Sequence, residues 1–80
     1  MKSDIFINAI LNRNRVRFLY DLKEVIIDPY FISINRSGKK VLYGKLNRSN
    51  EVKLFEFDKI LNIKIMNTHK FSPIIPILPV

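Results

Sequence analysis

Short segments of alternating polar and apolar residues, cut apart by tight turns, are the feature that most constrains this chain. In RVRFLYD, Val16, Phe18 and Tyr20 fall on one side and Arg15 and Arg17 on the other, the period-2 signature of a half-buried strand with both arginines pointing away from the core. KEVIIDPYFISIN holds two apolar runs separated by Asp28-Pro29, and its apolar phase shifts from Val25 and Ile27 to Ile32 and Ile34. Because proline removes a ladder donor, this second strand is expected to carry a bulge, a bend or an edge position at that point. Asn35-Arg36-Ser37-Gly38 is a turn by composition, KKVLYGKLN a third strand, and Asn47-Arg48-Ser49-Asn50 the next turn. Gly44, inside the third strand, marks a tight bend or a close backbone approach. EVKLFEF and LNIKIMN then read as fourth and fifth strands, joined by a very short connection at Asp58-Lys59-Ile60.

Ahead of the strands, Phe6, Ala9, Ile10 and Arg13 follow helical spacing. A helix is expected from about residue 3 to 13, with Ser3 as its N-cap and Asp4 placed against the helix dipole. So short a helix is not stable alone and must lie on the strands. One helix and five short strands with tight turns predict a mainly β (α+β) fold in which a small, strongly bent five-stranded barrel hides the edges of its sheet. Eighty residues make one domain, expected over 1–72, followed by a Pro-rich apolar tail at 73–80. Pro73, Pro76 and Pro79 exclude a helix in FSPIIPILPV and favour an extended, polyproline-like path. With no cysteine in the chain, stability must come from packing or from association, so a homodimer is one expected state.

The inventory argues against an enzyme. His69 is the one histidine, cysteine is absent, and no serine has a visible base and orienting partner. His69 reads as solvent-facing. Gly38 and Gly44 are wrongly spaced for a phosphate-cradling loop. Asp21, Glu24 and Asp28 read as solvated charge rather than a metal site, and no cofactor is expected. No apolar run reaches the roughly 20 residues of a membrane-spanning helix, and Asp4 interrupts any signal-like start. A cytoplasmic protein is expected.

What the inventory does contain is cationic and aromatic. Fourteen Lys and Arg against seven Asp and Glu give a formal charge of +7, which attracts polyanions. Arg13, Arg15 and Arg17 form an i, i+2, i+4 row; the last two share a strand face from which two guanidiniums grip successive phosphates, or else they guard an edge strand. Arg36, Lys39 and Lys40 make a second basic cluster in a hairpin loop, read as solubilising. Tyr30, Phe31 and Tyr43 are candidates for base stacking, although aromatics at strand spacing are more often core residues.

Ala9-Ile10 followed by Val16, Phe18 and Tyr20, then Asp28-Pro29-Tyr30, Val41-Leu42-Tyr43-Gly44, KLFEFDKI at Lys53 to Ile60, and Phe71 together resemble the WYL domain. The resemblance spans about residues 5 to 72, and KLFEFDKI, similar to the family pattern R-x-F-x-L-D-R-I, is its best segment. It implies an Sm-like five-stranded barrel with an N-terminal helix, found in bacterial transcriptional regulators, that senses a nucleotide or nucleic-acid ligand through basic side chains. By this resemblance Lys53 takes the place of a ligand-contacting arginine, Lys59 ties down the turn with Asp58, and Tyr43 or Tyr30 packs beside the ligand with Arg15 and Arg17. The sequence departs from the family in three respects. Val41-Leu42-Tyr43 stands where the name-giving tripeptide would be, lysine replaces arginine at two positions, and no helix-turn-helix precedes the domain, implying work with a separate chain. A lysine offers a point charge where arginine offers a bidentate fork. The competing expectations are a protein-interaction domain that dimerises or docks through a sheet edge and the tail, and an Sm-like RNA-binding protein.

Overall fold

A computed structural model describes residues 1–71, apart from the side chains of residues 67–69. The expected tail at 73–80, the domain boundary before it and the His69 side chain lie outside the described residues. The chain forms helix α1 (Lys2–Asn12), strands β1 (Asn14–Tyr20), β2 (Lys23–Ile34), β3 (Lys40–Leu46) and β4 (Val52–Glu56), a 3-10 turn at Phe57–Lys59, and β5 (Ile60–Lys70). The strands make one antiparallel sheet in the order β4-β3-β2-β1-β5. Among the described residues β4 and β5 are not paired with each other, so the sheet is open.

The helix begins one residue earlier than its spacing suggests. Met1 is the N-cap and no side chain caps the helix, so Ser3 is not the cap; its hydroxyl lies in the first turn and accepts from Lys40 Nζ at 3.0 Å. Arg13 ends α1 in the left-handed conformation (φ 57°), its N–H directed at the carbonyls of Ala9 and Ile10, which satisfies carbonyls that a helix end leaves orphaned.

Phe6, Ala9 and Ile10 bury the helix face against one side of the sheet, with Val16, Phe18, Ile27, Leu42, Phe55, Phe57 and Ile60. We call this the concave face. Phe6 meets Phe18 and Phe57 edge-on at 6.2 and 5.4 Å. Each such ring contributes about 2 to 3 kcal/mol by leaving water, which is how a three-turn helix is held without a cap.

The sheet bends along β2. Its first half, through Ile27, pairs with β1; its second half, to Ile34, runs on beside β3. The expected irregularity at Asp28-Pro29 is a register shift between Pro29 and Phe31. Inserting one residue there explains the phase change from Ile27 to Ile32. Gly44 faces Pro29 across the ladder, and a Cβ on it would stand 2.6 Å from Ile27 Cδ1 and 2.9 Å from the Asp28 carbonyl. The close approach expected of this glycine is therefore the bend itself. A two-residue turn, Asp21-Leu22, joins β1 to β2 with both residues at positive φ (50° and 67°), the type I′ geometry that matches strand twist.

Candidate functional site: the convex face of the sheet

Side chains alternate across a strand, so the register assigns every candidate to a face. Val16, Ile27 and Leu46 are successive ladder partners on the concave face. Arg15 and Arg17 therefore stand on the convex face, as the alternation of RVRFLYD predicts. In β3, Leu42 is concave and Tyr43 convex, stacked on its ladder partner Phe31 at 4.6 Å with rings 20° apart. In β4 the partner of Leu42 is Phe55, and the partner of Gly44 is Lys53. Lys53 thus lies on the concave side, exposed and without an ion pair or hydrogen bond to a described residue. The structure does not bring Lys53 together with Arg15 and Arg17.

Arg15 is committed to a structural partner. Its Nε donates to Asp28 Oδ1 at 2.8 Å, and Lys45 Nζ lies 3.5 Å from Asp28 Oδ2. Asp28 is buried, with 2% of its side chain exposed, and a buried carboxylate needs such compensation. Lys45 also donates to the carbonyls of Leu46 and Ser49 at 3.2 and 3.0 Å. Asp28 is therefore buried and paired rather than solvated, and among the described residues no group of His, Cys, Asp or Glu has the arrangement of a metal site.

Tyr30 is also unavailable: it is fully buried and stacked on Phe71 at 5.8 Å. Its place as the extra residue of the β2 bulge turns it inward, which strand alternation could not show. Lys59 pairs with Glu56 at 3.3 Å, while Asp58 meets Lys39 at 3.5 Å. The turn is thus tied down by Glu56, not by Asp58. The hydrogen bond and charge of Glu56, then the charges of Asp21 and Tyr20, raise the Lys59 pKa above its ordinary 10.5. In the hairpin loop Lys39 and Lys40 are occupied by Asp58 and Ser3.

Arg17 remains. Among the described residues it reaches only Glu24, at 3.6 Å, and both side chains are more than a third exposed, so that pair is weak and screened. Directly across the β1–β5 ladder its partner is Lys64, which has no ion pair with a described residue. Two cations are thus held side by side on the convex face. Next to them the register shifts between Arg17 and Leu19, where Asn62 adopts φ 54°. This bulge opens a shallow groove of about 470 Å³ lined by Arg17, Leu19, Glu24, Asn62 and Lys64 and bordered by Phe18 and Ile63, which belong to the concave core.

Lys64 was not singled out from sequence. The alternation of LNIKIMN puts Lys64 opposite to Ile63 and Ile65 in facing, but only the ladder register places it against Arg17. The chain matches no family model, no curated protein and no solved structure.

Proposed function

We propose that this protein is a non-enzymatic module that binds an anionic ligand, a nucleotide or nucleic acid, through the convex face of the β1–β5 ladder. The observation that carries the reading is the direct opposition of Arg17 and Lys64. Like charges facing each other across a ladder destabilise it, and a phosphate seated between them turns repulsion into two charge-assisted hydrogen bonds. The groove beside them offers the apolar side chain of Leu19, a carboxamide and a carboxylate, a mixture suited to a heterocycle attached to phosphate. The charge of +7 steers such a ligand inward. Arg15 serves this face by holding Asp28, and Tyr43 borders it through its stack with Phe31.

The WYL-type, Sm-like barrel belongs to the same reading. It is supported by the helix-first meander with β5 returning beside β1, and by Tyr20, whose hydroxyl accepts from the Glu56 N–H on the far edge strand. Lys53 then acts as an inward-pointing charge that blocks strand addition at the β4 edge. A regulatory role, in the cytoplasm and with a separate DNA-binding chain, is the biological form this reading takes.

Fluorescence anisotropy with short single- and double-stranded DNA and RNA across a salt series tests the proposal. Affinity is expected to fall linearly in log salt, with Arg17→Ala and Lys64→Ala each reducing the slope by about one. Absence of binding at low salt, or binding indifferent to both substitutions, overturns it.

A second reading, association through sheet edges, rests on Leu54, Leu61 and Ile65, which are exposed on β4 and β5. Light scattering decides it: a concentration-dependent dimer supports edge association, and a monomer at high concentration removes it.

A further inference from the structure

Among the described residues two cations hold Asp28, and they differ in the donors they have left. Lys45, with 12% of its side chain exposed, sets its ammonium 3.5 Å from Asp28 Oδ2 and donates to the carbonyls of Leu46 and Ser49. An ammonium has no donors beyond these, so Lys45 is fully occupied inside the fold. Arg15 is 34% exposed and gives Asp28 only its Nε–H. The N–H groups on both its Nη atoms have no partner among the described residues, and in a guanidinium they form the outer edge of a rigid fork. Charge follows the same division. Arg15 and Lys45 together outweigh the one carboxylate, and the surplus positive charge lies on the exposed member, Arg15.

Arg15 and Arg17 stand on the same face of β1, a step of roughly 7 Å along the strand. Across the β1–β5 ladder Arg17 faces Lys64 and Arg15 faces the uncharged Met66. Glu24 lies on the other side of Arg17, opposite Leu19. An anion seated on Arg17 and Lys64 therefore extends toward Arg15 without meeting an unpaired carboxylate, because Asp28 is already neutralised. The spacing selects the ligand. The phosphates of a nucleoside diphosphate share a bridging oxygen and sit too close together to occupy both positions, whereas consecutive phosphates of a nucleic-acid strand are separated by a whole sugar and match a two-residue step along a β-strand.

We propose that Arg15 forms a second phosphate subsite beside Arg17 and Lys64, so that the ligand of the convex face is a nucleic-acid strand gripped at two consecutive phosphates. This rests on the reading of that face as an anion site and narrows it from nucleotides in general to oligonucleotides. Asp28, itself anchored by Lys45, holds the Arg15 guanidinium in place before a ligand arrives, which lowers the ordering cost of binding.

Isothermal titration calorimetry of the full chain with thymidylate, thymidine diphosphate and trithymidylate tests the subsite. Trithymidylate is expected to bind about tenfold tighter than thymidylate, or more, with thymidine diphosphate well short of it. Arg15→Ala is expected to bring the ratio of the trithymidylate and thymidylate affinities close to unity while thymidylate still binds. Both ligands are measured on the same variant, so any loss of folded protein cancels from the ratio. Arg15→Lys keeps a cation against Asp28 but offers no second donor edge to a phosphate, and it is expected to lower the ratio in the same way. Equal affinities in the parent overturn the second subsite and leave the Arg17–Lys64 reading standing, as does a ratio that both Arg15 variants leave unchanged. Failure of all three ligands to bind overturns the reading and the subsite together.

Discussion

The phenolic oxygen of Tyr20 on β1 accepts a hydrogen bond from the backbone N–H of Glu56 on β4, 3.0 Å away, although β2 and β3 separate those strands in the sheet. The sheet must therefore curl until its concave side meets itself, and the edge-on contact of Tyr20 with Phe55 at 5.0 Å shows the same approach. An edge amide that would otherwise face water or a foreign strand is satisfied internally.

Tyr20→Phe keeps the ring and removes the acceptor. It is expected to cost about 1 kcal/mol by urea denaturation and to accelerate hydrogen exchange at the Glu56 amide. Exchange at Glu56 that stays as slow as in the parent would show that the amide is protected by another partner.

Leu22 occupies φ 67° in the β1–β2 turn with 83% of its surface exposed. An exposed leucine gains nothing from packing to offset a left-handed conformation. Leu22→Gly is expected to raise stability by about 1 kcal/mol, read as a higher denaturation midpoint.

Gly44→Ala drives a methyl group into Ile27 Cδ1 and the Asp28 carbonyl, and overpacking of this kind costs about 1 to 3 kcal/mol. Ile27→Val removes the Cδ1 atom. The double variant is expected to be more stable than the sum of the two single losses predicts, with the coupling read from a double-mutant cycle.

Lys64→Glu separates binding from stability. It replaces repulsion of Arg17 by attraction and is expected to stabilise the fold by up to about 1 kcal/mol, while polyanion binding is lost. A variant that is destabilised and still binds would remove Lys64 from the site.

Glu56 holds the Lys59 pKa above 10.5. A group whose folded pKa is raised contributes stability that is fully present below its unfolded value and is lost as pH rises through the folded pKa. The contribution is therefore fully present at neutrality, and its loss with rising pH is confined to the alkaline range above 10.5. Glu56→Gln is expected to lower the Lys59 pKa, as followed by NMR of the lysine Cε.

Local chemistry made the helix, the five strand segments, the bend at Asp28-Pro29 and the close approach at Gly44 legible, because spacing and the lack of an N–H or a Cβ act within a few residues. Ser3 misled because it is a good capping residue in general, yet here the helix begins before it and Met1 stands at the cap. Asp21-Leu22 gave no hint of a two-residue hairpin, since neither residue is the Gly or Asn that takes positive φ at low cost.

By itself the sequence determined which side chains alternate within each strand, and so it placed Arg15 and Arg17 together on one face. Whether Lys53 shared that face was decided by the pairing of Gly44 with Lys53, and whether Arg17 met Lys64 by the register of β5 against β1. A one-residue shift or bulge reverses every facing beyond it. That choice belongs to contacts between distant segments, and only the tertiary structure makes it.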